Sequence, residues 1–152
     1  MIIYLGADHR GFSLKEHLKQ FLQSQGYEIV DCGNTVLDEH DDYPDFASSV
    51  AKKVSVAPSE TRGILACGSG AGVDIVANKF PNVRSVLAIS SDQVYDARHD
   101  DDVNVLSFSA DAMQPALAEK ILLTFLKTPW SGEEKDRRRL QKIVGLEGEL
   151  YR

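Results

Sequence analysis

The chain has 152 residues, of which 43% are hydrophobic and 26% charged, a composition typical of one soluble domain with an adequate core. It carries 17 Lys and Arg against 23 Asp and Glu, a formal net charge of −6, so no overall basic surface favours nucleic acid. There is no apolar run of about 18 residues, no signal-peptide pattern and only two cysteines, which argues against a membrane span and a disulfide framework and predicts a cytoplasmic protein.

Short apolar runs alternate with amphipathic segments along the chain. The runs predict five strands, at residues 2–5, 27–31, 63–67, 85–89 and 104–108. We expect a first helix that Ser13 caps and Gly26 closes, and a fourth helix that Asp92 caps. The second to fifth helices are predicted over residues 45–54, 72–79, 92–99 and 115–126. Five β–α units of this kind predict an α/β domain, in which helices cover both faces of a parallel sheet.

A further amphipathic segment, about residues 133–151, follows the five units. It carries a basic run from Lys135 to Arg139 and then apolar residues at helical spacing. This pattern predicts an extra C-terminal helix within a single domain of residues 1–152. Because the five units already complete a domain, we expect the apolar face of this helix to pack on a partner subunit.

Residues 64–79 form the most informative segment of the sequence. An apolar run ends at Cys67, three alternating glycines follow, and a helical pattern continues to Lys79. A strand that turns through glycines into a helix offers backbone N–H groups to an anion, and the positive potential there favours a thiolate at Cys67. The plain alternative is a buried structural cysteine in a tight turn. The G-x-G-x-G spacing does not match the G-x-G-x-x-G of a dinucleotide-binding loop.

Asp8 and His9 follow the first predicted strand, as Cys67 follows the third. In parallel α/β sheets, ligands bind beyond the carboxyl ends of the strands, where the strand order reverses. We therefore expect Asp8, His9 and the loop after Cys67 to form one site. The spacing of His, Cys and acidic residues indicates no metal site, and we expect the acidic segment 38–42 to be a solvated loop.

Several segments together resemble the type B ribose-5-phosphate isomerase family, which also includes the subunits of galactose-6-phosphate isomerase. The most specific is Cys-Gly-Ser-Gly-Ala-Gly at residues 67–72, continued by Ala-Asn-Lys at 77–79. The others are Gly-Ala-Asp-His-Arg-Gly-Phe at 6–12 with Lys15, Asp-Tyr-Pro-Asp-Phe-Ala at 42–47, Ala97-Arg98, Asn104-Val105-Leu106 and Arg138-Arg139. The resemblance covers nearly the whole chain in register.

The resemblance implies a Rossmann-like three-layer fold and a homodimer or tetramer whose subunits share active sites. It implies cofactor-free aldose–ketose isomerisation of a phosphorylated sugar through a cis-enediolate, with D-ribose 5-phosphate and D-ribulose 5-phosphate as the leading pair. It also implies roles for the residues at the functional positions of the family. Those at the reacting carbons are the proton-transfer base Cys67, with Ser69, Gly68, Gly70, Ala71 and Gly72 at the enediolate oxygen. Those that bind the rest of the substrate are Asp8 and Tyr43 at the sugar, and His9, Lys135 and Arg139 at the phosphate.

The sequence departs from the family pattern at several positions. Where the family has a His-Asn pair that opens the furanose ring, this chain has Asp100-Asp101, with His99 displaced by one residue. We expect Asp100 or His99 to take over ring opening, with the pKa of Asp100 raised by Asp101. Asp111 stands in place of a family arginine, and residues 134–136 are Glu-Lys-Asp in place of Gly-Arg-His.

These acidic replacements leave other substrates open. A tetrose 4-phosphate cannot close a furanose ring, so it would not need the missing histidine. A hexose 6-phosphate is a further candidate, and so is a non-catalytic subunit that only binds a sugar phosphate. Retention of Cys67, Ser69, Asp8 and His9 together favours an enzyme.

Overall fold

In the computed structural model, which describes residues 1–150, five parallel strands form a sheet in the order β2-β1-β3-β5-β4. The strands are β1 (Ile2–Ala7), β2 (Glu28–Asp31), β3 (Thr61–Cys67), β4 (Ser85–Leu87) and β5 (Val105–Ser109). The helices are α1 (Phe12–Ser24), α2 (Tyr43–Val56), α3 (Ala71–Ala77), α4 (Ser91–Asp101), α5 (Pro115–Lys127) and α6 (Glu134–Leu150). The predicted α/β fold, a five-stranded parallel sheet with an extra C-terminal helix, is confirmed.

Helices cover both faces of the sheet, so the fold has three layers. On one face, α2 and α3 pack against β1, β3 and each other, with Val50 and Val54 of α2 fully buried beside Leu65 of β3. On the other face, α1, α4 and α5 enclose a larger apolar cluster that includes Leu18 and Phe108. Burial of each such side chain stabilises the folded state by about 1.5–3 kcal/mol, so the apolar residues of the two clusters are the main source of stability.

Two helix starts differ from the sequence predictions. Gly11, not Ser13, is the N-cap of α1, because the side chain of Asp8 accepts a hydrogen bond from the Gly11 N–H (2.9 Å) and turns the chain into the helix early. Ser90, not Asp92, caps α4, since its Oγ accepts from the N–H of Gln93 at 3.1 Å. The prediction that Gly26 closes α1 is consistent with its φ of 79°, a left-handed conformation that suits glycine.

Helix α6 lies outside the β–α units, as the sequence predicts. Asp136, which is buried, accepts hydrogen bonds from Ser131 Oγ (2.7 Å) and Arg139 Nη1 (3.2 Å) and so joins α6 to the chain before it. The apolar side chains farther along this helix remain exposed, namely Ile143, Val144 and Leu146. Residue 151, the predicted end of the helix, lies outside the described residues. That a partner covers this face stays a prediction.

Candidate active site

The loops after β1 and β3 lie side by side at the carboxyl edge of the sheet. Strand β1 pairs with β2 on one side and β3 on the other, so the strand order reverses between β1 and β3. Ala7 and Ala66 are register partners, which brings the segment at Asp8 next to the segment at Cys67. The two segments are thus neighbours at the position where α/β sheets bind ligands, and that they form one site stays a prediction.

The loop after β3 folds tightly around the sulfur of Cys67. The side chain is buried, with the residue 5% exposed, and the N–H of Gly70 points at Sγ at 3.2 Å. Gly70 has φ 77°, which glycine adopts without strain. The N–H of Ala71 lies 3.3 Å from the hydroxyl oxygen of Ser69. The loop thus directs a backbone hydrogen-bond donor at the Cys67 sulfur.

Two side chains from other loops lie directly against this loop, and the glycines admit them. The ring of Tyr43 lies over Gly72, with Cε2 and Cζ 2.8 Å from where a Cβ would be. The guanidinium of Arg10 lies in the same way against Gly68. An aromatic ring therefore lies against one end of the loop and a cation against the other.

His9 is held by a carboxylate that the sequence analysis did not single out. Oδ1 of Asp41 accepts from the backbone N–H of His9 and lies 2.8 Å from Nδ1 of its ring. This hydrogen bond is the main reason that the pKa of His9 is raised above its ordinary value. The segment 38–42 was expected to be solvated, but the side chain of Asp41 is only 6% exposed. A run of acidic residues gave no signal that one member turns inward.

Arg10 and Asp111 form an ion pair across the edge of the same loop. The backbone N–H of Asp111 also donates to the carbonyl of Gly68 at 3.1 Å, and Ser109 Oγ donates to it at 2.9 Å. The acidic residue that departs from the family pattern is therefore paired with an arginine of this chain's own β1–α1 loop. Sequence reasoning noticed Asp111 but missed Arg10, because nothing in the sequence links positions so far apart.

The remaining predicted residues form a second group around the end of α4. Nδ1 of His99 lies 2.7 Å from Oδ1 of Asp100, and the His99 ring stacks on Tyr95 with centroids 5.5 Å apart. Both Lys135 and Arg139 act on the pKa of Asp100 as nearby positive charges. Four predicted residues therefore lie together in this group: His99, Asp100, Lys135 and Arg139.

The expected rise in the pKa of Asp100 is wrong. The hydrogen bond with His99 lowers the pKa of Asp100, and the two basic side chains of α6 lower it further. It is the pKa of Asp101 that is raised, chiefly by burial and then by the negative charge of Asp100. Asp100 is thus a charged partner of His99 rather than a neutral acid.

Within one chain, the two groups lie at opposite edges of the sheet. Helix α4 leaves β4 at the carboxyl edge and leads to the start of β5, so its last residues lie at the amino edge. Its 11 residues span about 16 Å, so the helix carries the chain from the edge at which Cys67 lies towards the opposite edge. The structure brings together Asp8, His9, Tyr43 and the loop 67–72, and separately His99, Asp100, Lys135 and Arg139.

Open, partly apolar surface adjoins the loop that carries Cys67. A hollow of about 350 Å³ beside Ser69 is lined by Leu87, Ala88, Ile89, Ser109, Ala112, Met113 and Leu117. Ile89 and Leu117 are exposed there, and Tyr43, whose ring lies against Gly72, is exposed as well. Among residues 1–150, no group of three or more His, Cys, Asp or Glu side chains is arranged to hold a metal ion. No helix in the described part of the chain has the length and apolarity needed to cross a membrane.

Comparison with known proteins shows to which family a chain with this fold and this loop belongs. A family model described as Ribose/Galactose Isomerase matches residues 3–143. The chain belongs to this family. The probable ribose-5-phosphate isomerase B of Mycoplasma genitalium is 37% identical over 147 residues, which are 97% of this chain and 96% of that protein. Ribose-5-phosphate isomerase B of Escherichia coli is 36% identical over 146 residues, 95% of each chain.

Solved structures of the Ribose/Galactose Isomerase family agree with the fold described above. Ribose-5-phosphate isomerase B from Mycoplasma genitalium with bound ribulose-5-phosphate matches with a TM-score of 0.93 at 37% identity, over 97% of each chain. The type B ribose 5-phosphate isomerase of Trypanosoma cruzi matches with a TM-score of 0.91 at 36% identity, over 97% of each chain. As a member of this family, the chain is an isomerase with the predicted Rossmann-like α/β architecture.

Proposed function

We propose that this protein interconverts D-ribose 5-phosphate and D-ribulose 5-phosphate through a cis-enediolate, with Cys67 as the base. The observation that carries the proposal is the sulfur of Cys67 at the strand switch point, with the N–H of Gly70 directed at it. The full-length relatives support the substrate, since they are ribose-5-phosphate isomerases and one was solved with ribulose-5-phosphate bound. No cofactor enters the reaction, because only protons move between the substrate and the protein.

The chemistry is one proton transfer out and one back. The Cys67 thiolate removes the proton from C2 of the open-chain aldose, and the electrons of that C–H bond form the C1–C2 double bond while negative charge collects on O1. The thiol then returns a proton to C1, and the hydroxyl proton of O2 moves to O1, which leaves the carbonyl at C2. Because Ser69 Oγ accepts from Ala71, its own hydrogen is free to donate to the enediolate oxygen.

The roles proposed for the substrate-binding residues come from the family resemblance, and their places around this loop support them. Asp8 and Tyr43 lie on two sides of it and contact the sugar hydroxyls, while His9 binds the phosphate. His99 opens the furanose ring as the acid–base group. Asp100 orients it, because the lowered pKa of Asp100 keeps that carboxylate charged and its hydrogen bond holds the imidazole in place. Lys135 and Arg139 add positive charge for the phosphate.

We also propose that the active site is shared between two copies of the chain in a homodimer. The support is that the His99 group and the Cys67 group lie at opposite edges of the sheet in one chain. In a two-fold symmetric dimer, the His99 group of each subunit can lie beside the Cys67 group of the other subunit. Exposed apolar side chains near the Cys67 edge, including Tyr43, Ile89 and Leu117, provide surface for such contact.

A shared site predicts complementation between two inactive variants. Cys67→Ala removes the base of one group, and the double variant His99→Ala/Arg139→Ala disables the other. Random exchange of subunits at equal concentration makes half of the dimers mixed, and each mixed dimer has one intact site of two. The mixture should therefore regain about a quarter of wild-type turnover. If mass spectrometry confirms mixed dimers and turnover stays at the level of the separate variants, the site lies within one chain.

The substrate is tested by steady-state turnover of three sugar phosphates on one preparation. We expect ribose 5-phosphate to give a higher kcat/KM than erythrose 4-phosphate or allose 6-phosphate. Turnover confined to the tetrose phosphate would contradict the pentose substrate and would mean that the acidic replacements mark an open-chain substrate. Absence of turnover with all three, together with retained binding, would instead favour a sugar-phosphate-binding subunit.

A further inference from the structure

Asp41 is a buried carboxylate that the proposed chemistry leaves without a role. It belongs to the exposed acidic segment 38–42, yet its side chain turns inward to His9. Oδ1 accepts from the backbone of His9 and faces its ring nitrogen, both at 2.8 Å. Oδ2 accepts from the side-chain amide of Asn34 at 3.1 Å. Both oxygens of Asp41 are therefore engaged, and the ring of His9 is held in one orientation.

The chain of contacts continues from Asn34 to a buried lysine. The carbonyl of Asn34 accepts from Nζ of Lys15 at 2.7 Å, and the side chain of Lys15 is only 1% exposed. The same Nζ donates to both oxygens of Asp31, at 2.8 and 3.0 Å, at the end of β2. A buried ammonium needs this full set of acceptors, so the segment after β2 is fixed to α1. Asn34, which Lys15 holds through its carbonyl, thus supports Asp41 from the side away from His9.

We propose that Asp41 is the positioning residue for phosphate binding: it keeps His9 protonated at Nδ1, with Nε2 directed outward, and the chain through Asn34 to Lys15 fixes Asp41. This inference rests on the proposed function, in which His9 binds the phosphate of the substrate. A carboxylate behind an imidazole sets which ring nitrogen carries the proton and stabilises the doubly protonated ring, which then faces an anion with an N–H donor.

The surrounding charges agree with this role. The hydrogen bond to Asp41 raises the pKa of His9 most, and the carboxylate of Asp8 raises it further. Partial desolvation and the positive charge of Arg10 act in the opposite direction. With a raised pKa, His9 stays charged to higher pH than a free imidazole would, so its attraction for phosphate persists there and is lost as pH rises through the pKa of His9.

The test compares Asp41→Asn with wild type and with Asp38→Asn. The asparagine keeps the shape of Asp41 but removes its charge. Asp38 lies in the same segment, where its carboxylate accepts from the backbone of His40, so Asp38→Asn is a control for loss of one negative charge. We expect Asp41→Asn to weaken binding of inorganic phosphate, measured by calorimetry, about tenfold near pH 7.5 and less at pH 5.5, because the lower pH favours the charged imidazole with or without Asp41. Asp38→Asn should bind as wild type does at both values.

NMR of the histidine side chains gives a second measurement that needs no substrate. In wild type, the ¹⁵N shifts of neutral His9 should be those of the Nδ1–H tautomer, and Asp41→Asn should move its titration to lower pH. An Nε2–H tautomer in wild type, or a titration that Asp41→Asn leaves unchanged, would overturn the inference even if the variant bound phosphate weakly. Unchanged phosphate binding at pH 7.5 would overturn it too.

The inference and the proposed function fail differently. If wild type does not turn over ribose 5-phosphate, the proposed function fails, while the tautomer and titration of His9 still report whether Asp41 holds the ring. Should Asp41→Asn fail to fold, the tautomer of His9 in the wild-type protein decides the matter alone.

Discussion

Replacement of Cys67 with alanine should reduce turnover of ribose 5-phosphate by about 10³-fold, within the range that a positioned base contributes. No other thiol lies in the loop, and the backbone N–H of Gly70 that faces the sulfur cannot accept a proton in its place. Binding of the sugar phosphate should change by less than about threefold, because the groups proposed to hold the sugar and phosphate remain. Steady-state kinetics and calorimetry on the same preparation measure the two quantities.

Cys32 supplies the matched control for this prediction. It is the other cysteine of the chain, half-buried, and burial raises the pKa of its thiol, which disfavours the thiolate. Cys32→Ala should keep wild-type turnover. Retained turnover in Cys67→Ala would remove the base from the mechanism, and equal losses in both variants would indicate damage to folding rather than to chemistry.

Gly70→Ala should reduce turnover by about 100-fold and lower the free energy of unfolding by about 2–4 kcal/mol. Gly70 has φ 77°, and a Cβ there would lie 2.9 Å from the backbone carbonyl carbon of Phe108 and the nitrogen of Ser109. Because those atoms belong to the end of β5, they cannot move aside cheaply. The loop must shift instead, which takes the N–H of Gly70 away from the Cys67 sulfur. Chemical denaturation and steady-state kinetics check the two effects.

Gly26 provides a control with the same backbone conformation and no crowding. Its φ is 79°, and nothing lies within 4 Å of a Cβ built on it. Gly26→Ala should therefore cost only the strain of the left-handed conformation, about 1 kcal/mol, and leave turnover unchanged. If Gly70→Ala behaves as Gly26→Ala does, the exact shape of the loop after β3 is not what the reaction requires.

The order of strands and helices was predictable because each element carries its own periodic pattern. The five apolar runs and the amphipathic segments between them need only local information, and their alternation restricts the sheet to a parallel one. The place of the site followed for the same reason, since Asp8 and Cys67 both end strands. Element boundaries were less accurate. The start of α1, for example, depends on the contact of the Asp8 side chain with Gly11, which local pattern did not reveal.

The contacts that decide the electrostatics of the site could not be predicted in this way. Asp41 and His9 are 32 positions apart, and Arg10 and Asp111 are 101 positions apart. No local pattern says which of several acidic residues in a loop turns inward. Local pattern also misled the prediction for Asp100, whose pKa was expected to be raised by the negative charge of Asp101. Its hydrogen bond with His99 lowers it instead.

The most direct test of the whole account is ribose 5-phosphate turnover in D₂O, followed by ¹H NMR with wild type and Cys67→Ala. Proton transfer through a solvent-exchangeable thiol predicts that wild type interconverts the aldose and ketose and that deuterium enters at C1 of the ketose and C2 of the aldose. Cys67→Ala should show neither change over the same time. Interconversion that leaves both carbons fully protonated after many turnovers, or the same deuterium uptake in Cys67→Ala, would contradict the enediolate mechanism with Cys67 as its base.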